Sequence, residues 1–314
     1  MKVSILGAAG CIGMSAAFEI ATSRLADEMV LLDVRENLAR HHAMDLSTAV
    51  SALDVSVRAG RYEDTAGSDV VVHAAGIHGD ITADRSAMLV ENIRASGEIA
   101  RQLRKHCADA IVITVVNPVD ALNWTVWRAG GFERRQIVGY SFNDTLRFRE
   151  FAAQEKAVEV SRVEGLTIGE HGFTQVQLFS SVRIDGRPVS FSDDEKQRMR
   201  GAYRGYFEQL EGLAAGRTTG WTTAIGLASL TRAIAGDTRE IVAGSAVLDG
   251  EYGQRGLSMG VPIRLGRAGI HEIVELALAR DEQAALERSA EALMKNVGVV
   301  EATLQLAGDR RRPA

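Results

Sequence analysis

The sequence predicts an α/β fold: a doubly wound parallel sheet in the first half, followed by an α+β domain. Short apolar runs alternate with amphipathic stretches up to about residue 140, and runs such as Val70-Val71-Val72 are apolar on both faces, as in a parallel sheet covered by helices. From Asn143 onward the alternation gives way to strand-like segments with helices set apart from them. At 314 residues the chain exceeds one usual domain, so two packed domains are expected, 1–142 and 143–314, with no Pro/Gly/Ser-rich linker between them.

The elements follow in order. Residues 3–7 read as a short buried strand, and Gly7-Ala8-Ala9-Gly10-Cys11-Ile12-Gly13 then turns into an amphipathic helix reaching about residue 24. Residues 29–32 form a second strand that ends at Asp33, and strand, helix and strand at this spacing make a right-handed parallel unit. Residues 70–75 and 110–116 read as further strands around a helix over 85–105. In the second half the pattern predicts a helix over 144–156, strand-like segments near 163–168 and 176–184, and a turn at Asp185-Gly186-Arg187-Pro188. A charged helix over 193–213 comes next, then a glycine and threonine stretch at 216–220 and a helix to about residue 235. A hairpin between 241 and 265 leads to a last helix over 280–297.

Bulk composition excludes several function classes. With 46% hydrophobic and 25% charged residues and a net charge of −5, nothing favours nucleic acid or an anionic membrane as partner. The one tight basic run, Arg310-Arg311-Arg312, reads as a solvated tail. Cys11 and Cys107 are too few for a disulfide framework or a structural zinc site, so no metal is expected and a reducing compartment fits. The first apolar run breaks at Gly7 and is neither a signal peptide nor a membrane span, which makes the cytoplasm the expected location.

The glycine loop carries the first chemistry. Its Gly-x-x-Gly-x-x-Gly spacing, between a strand and a helix, allows a tight turn and close approach to a pyrophosphate, whose charge the helix amino terminus stabilises. Asp33, twenty residues past Gly13, stands where a carboxylate accepts hydrogen bonds from an adenosine ribose, as in a Rossmann domain that prefers NAD to its 2′-phosphorylated form. Arg35 leaves room for weak use of the phosphorylated cofactor. Asp144 and Arg147, three apart on one helix, share a side, and by themselves they read as a solvated pair. His171 is bracketed by glycines in a constrained loop, and its imidazole can take or give a proton near neutrality. His41 and His42 read as exposed helix residues, His73 as a core residue and Cys11 as a small filler.

These segments, with Asn117-Pro118-Val119-Asp120 and Gly169-Glu170-His171-Gly172 in the same order, resemble the malate and lactate dehydrogenase family over essentially the whole chain. The resemblance implies hydride transfer between NAD and an (S)-2-hydroxy acid. His171 would exchange the proton, Asp144 would hold its ring, Arg147 would grip the substrate carboxylate and Asn117 would bond near the reacting carbon. The segment 75–92 looks like the family's mobile lid, with Arg85 polarising the carbonyl. The cofactor set implied is Gly7, Gly10, Cys11, Ile12, Gly13, Asp33, Ala75, Gly76, Val115, Asn117 and Ile225, and a homodimer or homotetramer is implied as well.

The chain departs from the family at Gly79, six residues before Arg85, where malate enzymes carry an arginine and lactate enzymes a glutamine. That loss removes a charge-assisted contact of about 2–3 kcal/mol and opens space for a bulkier or differently charged substrate, while Trp221 falls on the pocket wall where the family has a small residue. His78 is a candidate replacement cation. The competing reading is an NAD-binding protein with weak or lost catalysis. A metal-dependent glycosidase of the same fold would need a thiolate where Val116 stands, and a short-chain reductase would need a Tyr-x-x-x-Lys that the chain lacks.

Overall fold

The computed structural model describes residues 1–77, 85–216 and 218–309. Its first half runs β1 (Lys2–Leu6), α1 (Cys11–Thr22), β2 (Glu28–Leu32), α2 (Glu36–Ala49), β3 (Ser56–Ala59), β4 (Val70–His73), α3 (Arg85–His106), β5 (Ile111–Thr114), α4 (Val119–Gly130) and β6 (Ile137–Gly139). The second half runs α5 (Phe142–Glu155), β7 (Val163–Glu164), β8 (Thr167–Ile168), β9 (Val176–Gln177), β10 (Arg183–Ile184), β11 (Arg187–Pro188), α6 (Asp193–Gly212), α7 (Gly220–Gly236), β12 (Ile241–Asp249), β13 (Arg255–Gly266), β14 (Gly269–Ile273) and α8 (Arg280–Asp309).

Six strands pair in parallel in the order β3-β2-β1-β4-β5-β6, with β1 and β4 adjacent where the winding reverses. The side chains of the inner strands are buried on both faces, Val70 to Val72 and Val112 to Ile113 completely so, which is why the sequence shows runs instead of alternation; the edge strand β3 buries only Val57. The hairpin β12–β13 lies where the sequence places it, between residues 241 and 266, and joins this sheet, because Ser245 pairs antiparallel with Gly139 of β6. A side chain at Gly139 would meet the Ser245 Cβ at 2.6 Å, so the glycine permits the junction. One nine-stranded sheet therefore carries both halves.

Several elements differ from the sequence pattern for physical reasons. Helix α4 is not read from the sequence: it follows directly on the Asn117–Pro118 step, and the polar Asp120, Asn123 and Thr125 lie among eight consecutive buried residues from Val119 to Val126. The 163–184 region forms two-residue strands broken by a 3-10 turn at Phe179–Ser181 instead of two longer strands. Helix α8 continues past residue 297 because Val300 and Thr303 are buried and Leu304 packs onto the cluster beneath α3 and α4.

His73, at the end of β4, is fully buried, and its Nε2 lies 3.0 Å from the Ser96 hydroxyl. Burial pushes its pKa down to about 4. A histidine depressed in the folded state contributes stability that is present above the unfolded value near 6.5 and lost as pH falls through that window, here by up to about 3 kcal/mol. Urea denaturation at pH 7 and pH 4.5 should show a smaller acid loss in His73→Gln than in the parent chain. Parallel losses would refute this assignment.

Candidate functional site

The expected site residues gather along one edge of the sheet. Gly7 follows β1, Asp33 follows β2, Ala75 and Gly76 follow β4, Val115 and Asn117 follow β5, and Asp144 lies just past β6. All are at the carboxyl ends of parallel strands, where this topology opens a crevice.

Glycine is required at two points of the first loop. Gly7 has φ +80°, and a Cβ there would lie 2.5 Å from the Ala74 carbonyl oxygen of the neighbouring strand end. At Gly13 a Cβ would lie 2.2 Å from the Gly7 carbonyl oxygen. The loop thus brings bare backbone to the start of α1, whose amino terminus has no side-chain cap and remains free to stabilise an anion. Asp33 is nearly buried; its Oδ2 accepts the Ala9 N–H at 2.9 Å and its Oδ1 accepts the Arg35 N–H at 2.9 Å. It lines a cavity of about 200 Å³ with Glu36, Arg40, Gly60 and Arg61. A backbone cradle beside a carboxylate-lined cavity fits the pyrophosphate and ribose of a dinucleotide. Cys11 packs its sulfur toward Gly220 at the start of α7 and leaves no space there for a Cβ.

A second cluster centres on Asp144. His171 Nδ1 lies 2.6 Å from Asp144 Oδ2. The other oxygen, Oδ1, accepts the Tyr203 hydroxyl at 2.8 Å and an Arg147 N–H at 3.3 Å. Burial raises the pKa of Asp144, but the His171 charge and hydrogen bond, the Tyr203 hydroxyl and Arg147 outweigh it and hold the carboxyl below its usual range. Burial likewise pulls His171 down, and Asp144 and then Asp120 overcome it, so the imidazole is raised above its ordinary value. An ionised carboxylate only accepts, so Nδ1 carries hydrogen and Nε2 is the nitrogen left for proton exchange.

The His171 loop is fixed through its backbone. Its N–H donates to Asp120 Oδ2 at 2.8 Å, and Asp120 Oδ1 accepts the Ser245 hydroxyl at 2.5 Å. Burial pushes Asp120 up to about 6 against those two donors. Gly169, at φ +84°, bridges Gly260 of β13 through a reciprocal pair of backbone hydrogen bonds at 2.8 and 3.0 Å. The Asn117–Pro118 peptide is cis.

Residues 1–139 match the NAD binding domain of the lactate/malate dehydrogenase family, and residues 143–304 match its alpha/beta C-terminal domain. The chain belongs to that family. The malate dehydrogenase of Haloarcula marismortui is 38% identical over 93% of this chain and 97% of its own length, and that of Bacillus cereus 36% identical over 93% and 96%. Among solved structures, the malate dehydrogenase of Salinibacter ruber superposes with a TM-score of 0.87 at 30% identity, covering 99% of this chain and 100% of its own. The lactate dehydrogenase of Cryptosporidium parvum, solved with lactic acid and NAD, superposes with a TM-score of 0.88 at 28% identity, covering 96% and 98%. The family's NAD binding domain and the cradle described above agree that NAD is the cofactor.

Within this lactate/malate dehydrogenase fold, Arg147 is more enclosed than a solvated helix pair. Its side chain is 8% exposed, its second terminal nitrogen lies 3.4 Å from the Thr219 hydroxyl, and its Nε is buried without a partner among the described residues. The guanidinium lies over the rings of Phe207 and Tyr206, 4.9 and 5.3 Å from their centroids. Trp221 is 76% exposed at the start of α7 and Ile225 is 55% exposed one turn later. His78 and Gly79 lie outside the described residues, as do Arg310, Arg311 and Arg312. Arg85 opens α3. Sequence reasoning did not find Tyr203, Tyr206, Phe207 or Thr219. The one signal available is the spacing of Met199 and Tyr203, the two buried residues of the otherwise charged α6.

Helix α7 buttresses the start of α5. Tyr140 donates to Asn143 Oδ1 at 2.7 Å, and Asn143 Nδ2 donates to the Thr223 hydroxyl at 2.9 Å. A Cβ on Gly226 would fall 1.9 Å from the Tyr140 oxygen. Gly226→Ala should therefore cost about 1–3 kcal/mol in urea unfolding through overpacking and lower turnover by shifting the turn that carries Asp144. An unchanged denaturation midpoint would show that Tyr140 does not hold that corner.

Proposed function

We propose that the chain interconverts an (S)-2-hydroxy acid and its 2-keto acid with NAD, using His171 as proton donor and acceptor. The observation that carries this is the 2.6 Å pairing of His171 Nδ1 with a buried Asp144 that also touches Arg147. NAD, when bound, supplies or accepts the hydride at the substrate carbon. Reduction of a keto acid requires a proton on His171 Nε2, and the raised pKa keeps that proton in place to higher pH; oxidation of the hydroxy acid requires the neutral ring. Asp144 holds the ring's tautomer and stabilises the imidazolium. Arg147 offers a planar fork for the substrate carboxylate, and its Nε, without a partner among the described residues, supports that role. Asn117, at the end of β5, would bond near the reacting carbon, and Arg85 would add positive charge where the carbonyl oxygen becomes negative. On the cofactor side, Gly7, Gly10, Cys11, Ile12, Gly13, Ala75, Gly76 and Val115 would line the dinucleotide, Asp33 would bond its ribose, and Ile225 would pack on the nicotinamide.

Gly79 stands where malate enzymes place an arginine, so we read the chain as malate dehydrogenase-like with an atypical specificity position, the alternative being a lactate-type or bulkier 2-hydroxy acid as substrate. Trp221 would then narrow the wall. Self-association is part of the same reading: Met14 and Phe18 on α1 are exposed apolar side chains outside the site. The two free cysteines support residence in a reducing compartment, the cytoplasm, and among the described residues no helix is long and apolar enough to cross a membrane.

The test is NADH oxidation, followed by absorbance, with pyruvate, oxaloacetate, hydroxypyruvate and bulkier 2-keto acids, in the parent chain and in His171→Asn. Turnover with at least one keto acid is expected, lost by at least about a hundredfold in the variant while NADH affinity changes little. Tight NADH binding without turnover on any keto acid would instead support a non-catalytic NAD-binding protein.

A further inference from the structure

Helix α6 touches the reaction centre from a part of the chain that no motif covers. Tyr203 lies 59 residues past Asp144 and donates its hydroxyl to Asp144 Oδ1 at 2.8 Å, closer than the Arg147 nitrogen that shares the same oxygen at 3.3 Å. The tyrosine is buried, and its ring is held edge-on by Phe151 at 6.2 Å and tilted against Phe207 at 5.1 Å. The hydroxyl thus reaches Asp144, on α5, from α6. Burial, and then the Asp144 charge, raise the phenol well above its usual range, so the hydroxyl stays protonated and remains a donor at every pH the enzyme meets.

A carboxylate held firmly only at Oδ2, with Oδ1 left to the longer Arg147 contact at 3.3 Å, can rotate about its Cβ–Cγ bond and leave the imidazole. One held at both oxygens cannot.

We infer that Tyr203 is a positioning residue for hydride transfer: its hydroxyl pins the Asp144 oxygen that His171 does not use, and so keeps the carboxylate ionised and aimed at the imidazole. This rests on the dehydrogenase reading for its kinetic consequence, while the contact itself has a readout that needs no substrate. The charged and titratable groups facing the dyad are Asp144 and Arg147 on α5, Tyr140 just before it, Asp120 on α4, Glu170 beside His171, and Tyr203 on α6. Of these, only Tyr203 joins the carboxylate from α6, and its removal leaves every formal charge in place.

Tyr203→Phe keeps the ring and removes the donor. The expected results are a His171 ring titration, followed by NMR without substrate, that moves to lower pH, and a kcat for keto acid reduction lower by about tenfold, with its high-pH limit shifted the same way. The KM for NADH should be unchanged. Phe151→Leu loosens the same ring but keeps the hydroxyl, so it should leave the His171 titration where it was. A Tyr203→Phe titration and pH profile that superpose on those of the parent chain would overturn the assignment. So would an equal shift from Phe151→Leu, since packing alone would then explain the effect. Absence of turnover in the parent chain would count against the dehydrogenase reading, and the NMR titration would still decide the role of Tyr203.

Discussion

The site depends on one buried negative charge. Asp144 is removed from water on all sides, and an unpaired carboxylate in that position would cost several kcal/mol or take up a proton. It stays ionised because its oxygens receive His171 from the loop after β8, Arg147 from one turn along α5, and Tyr203 from α6. Each donor is useful because of the charge it meets: the histidine is lifted toward its protonated form, the arginine is held inside the site, and the tyrosine fixes the angle. Loss of the charge would leave three buried donors without a shared acceptor, so the cluster rises or falls together.

The rest of the architecture brings these donors to one place. The parallel sheet delivers the cofactor loop, Asp33, Asn117 and Asp144 to a single edge, since each follows the carboxyl end of a strand. The hairpin β12–β13 extends that sheet and supplies Ser245 to Asp120 and Gly260 to Gly169, so the His171 loop is tied to the sheet as well as to α4. Helix α8 adds a third tie, with the Ser289 hydroxyl accepting the Glu170 N–H at 2.7 Å. A loop tied at residues 169, 170 and 171 pays its ordering cost during folding and not during turnover.

Legibility in the sequence followed how local each signal is. The glycine loop and Asp33 sit within one strand-helix-strand unit, so spacing was enough to read them, and the close approaches at Gly7 and Gly13 are backbone facts that glycine itself reports. The pairing of Asp144 with His171 spans 27 residues and became readable only through resemblance to a family. Tyr203 was not readable, because α6 presents a charged surface and one buried tyrosine on such a helix looks like ordinary packing. Helix α4 was hidden for a different reason: its buried face includes the polar Asp120, Asn123 and Thr125, which do not read as core in a sequence.

The most direct measurement of the central claim is the first-turnover rate of keto acid reduction across pH, in the parent chain and in Asp144→Asn, by stopped-flow absorbance of NADH. With the carboxylate present the rate should hold above pH 6.5 before it declines, because His171 keeps its proton. In the variant the decline should begin at lower pH, with the plateau reduced by about a hundredfold or more. Coincident profiles with similar plateaus would contradict the account, since His171 would then hold its proton without Asp144.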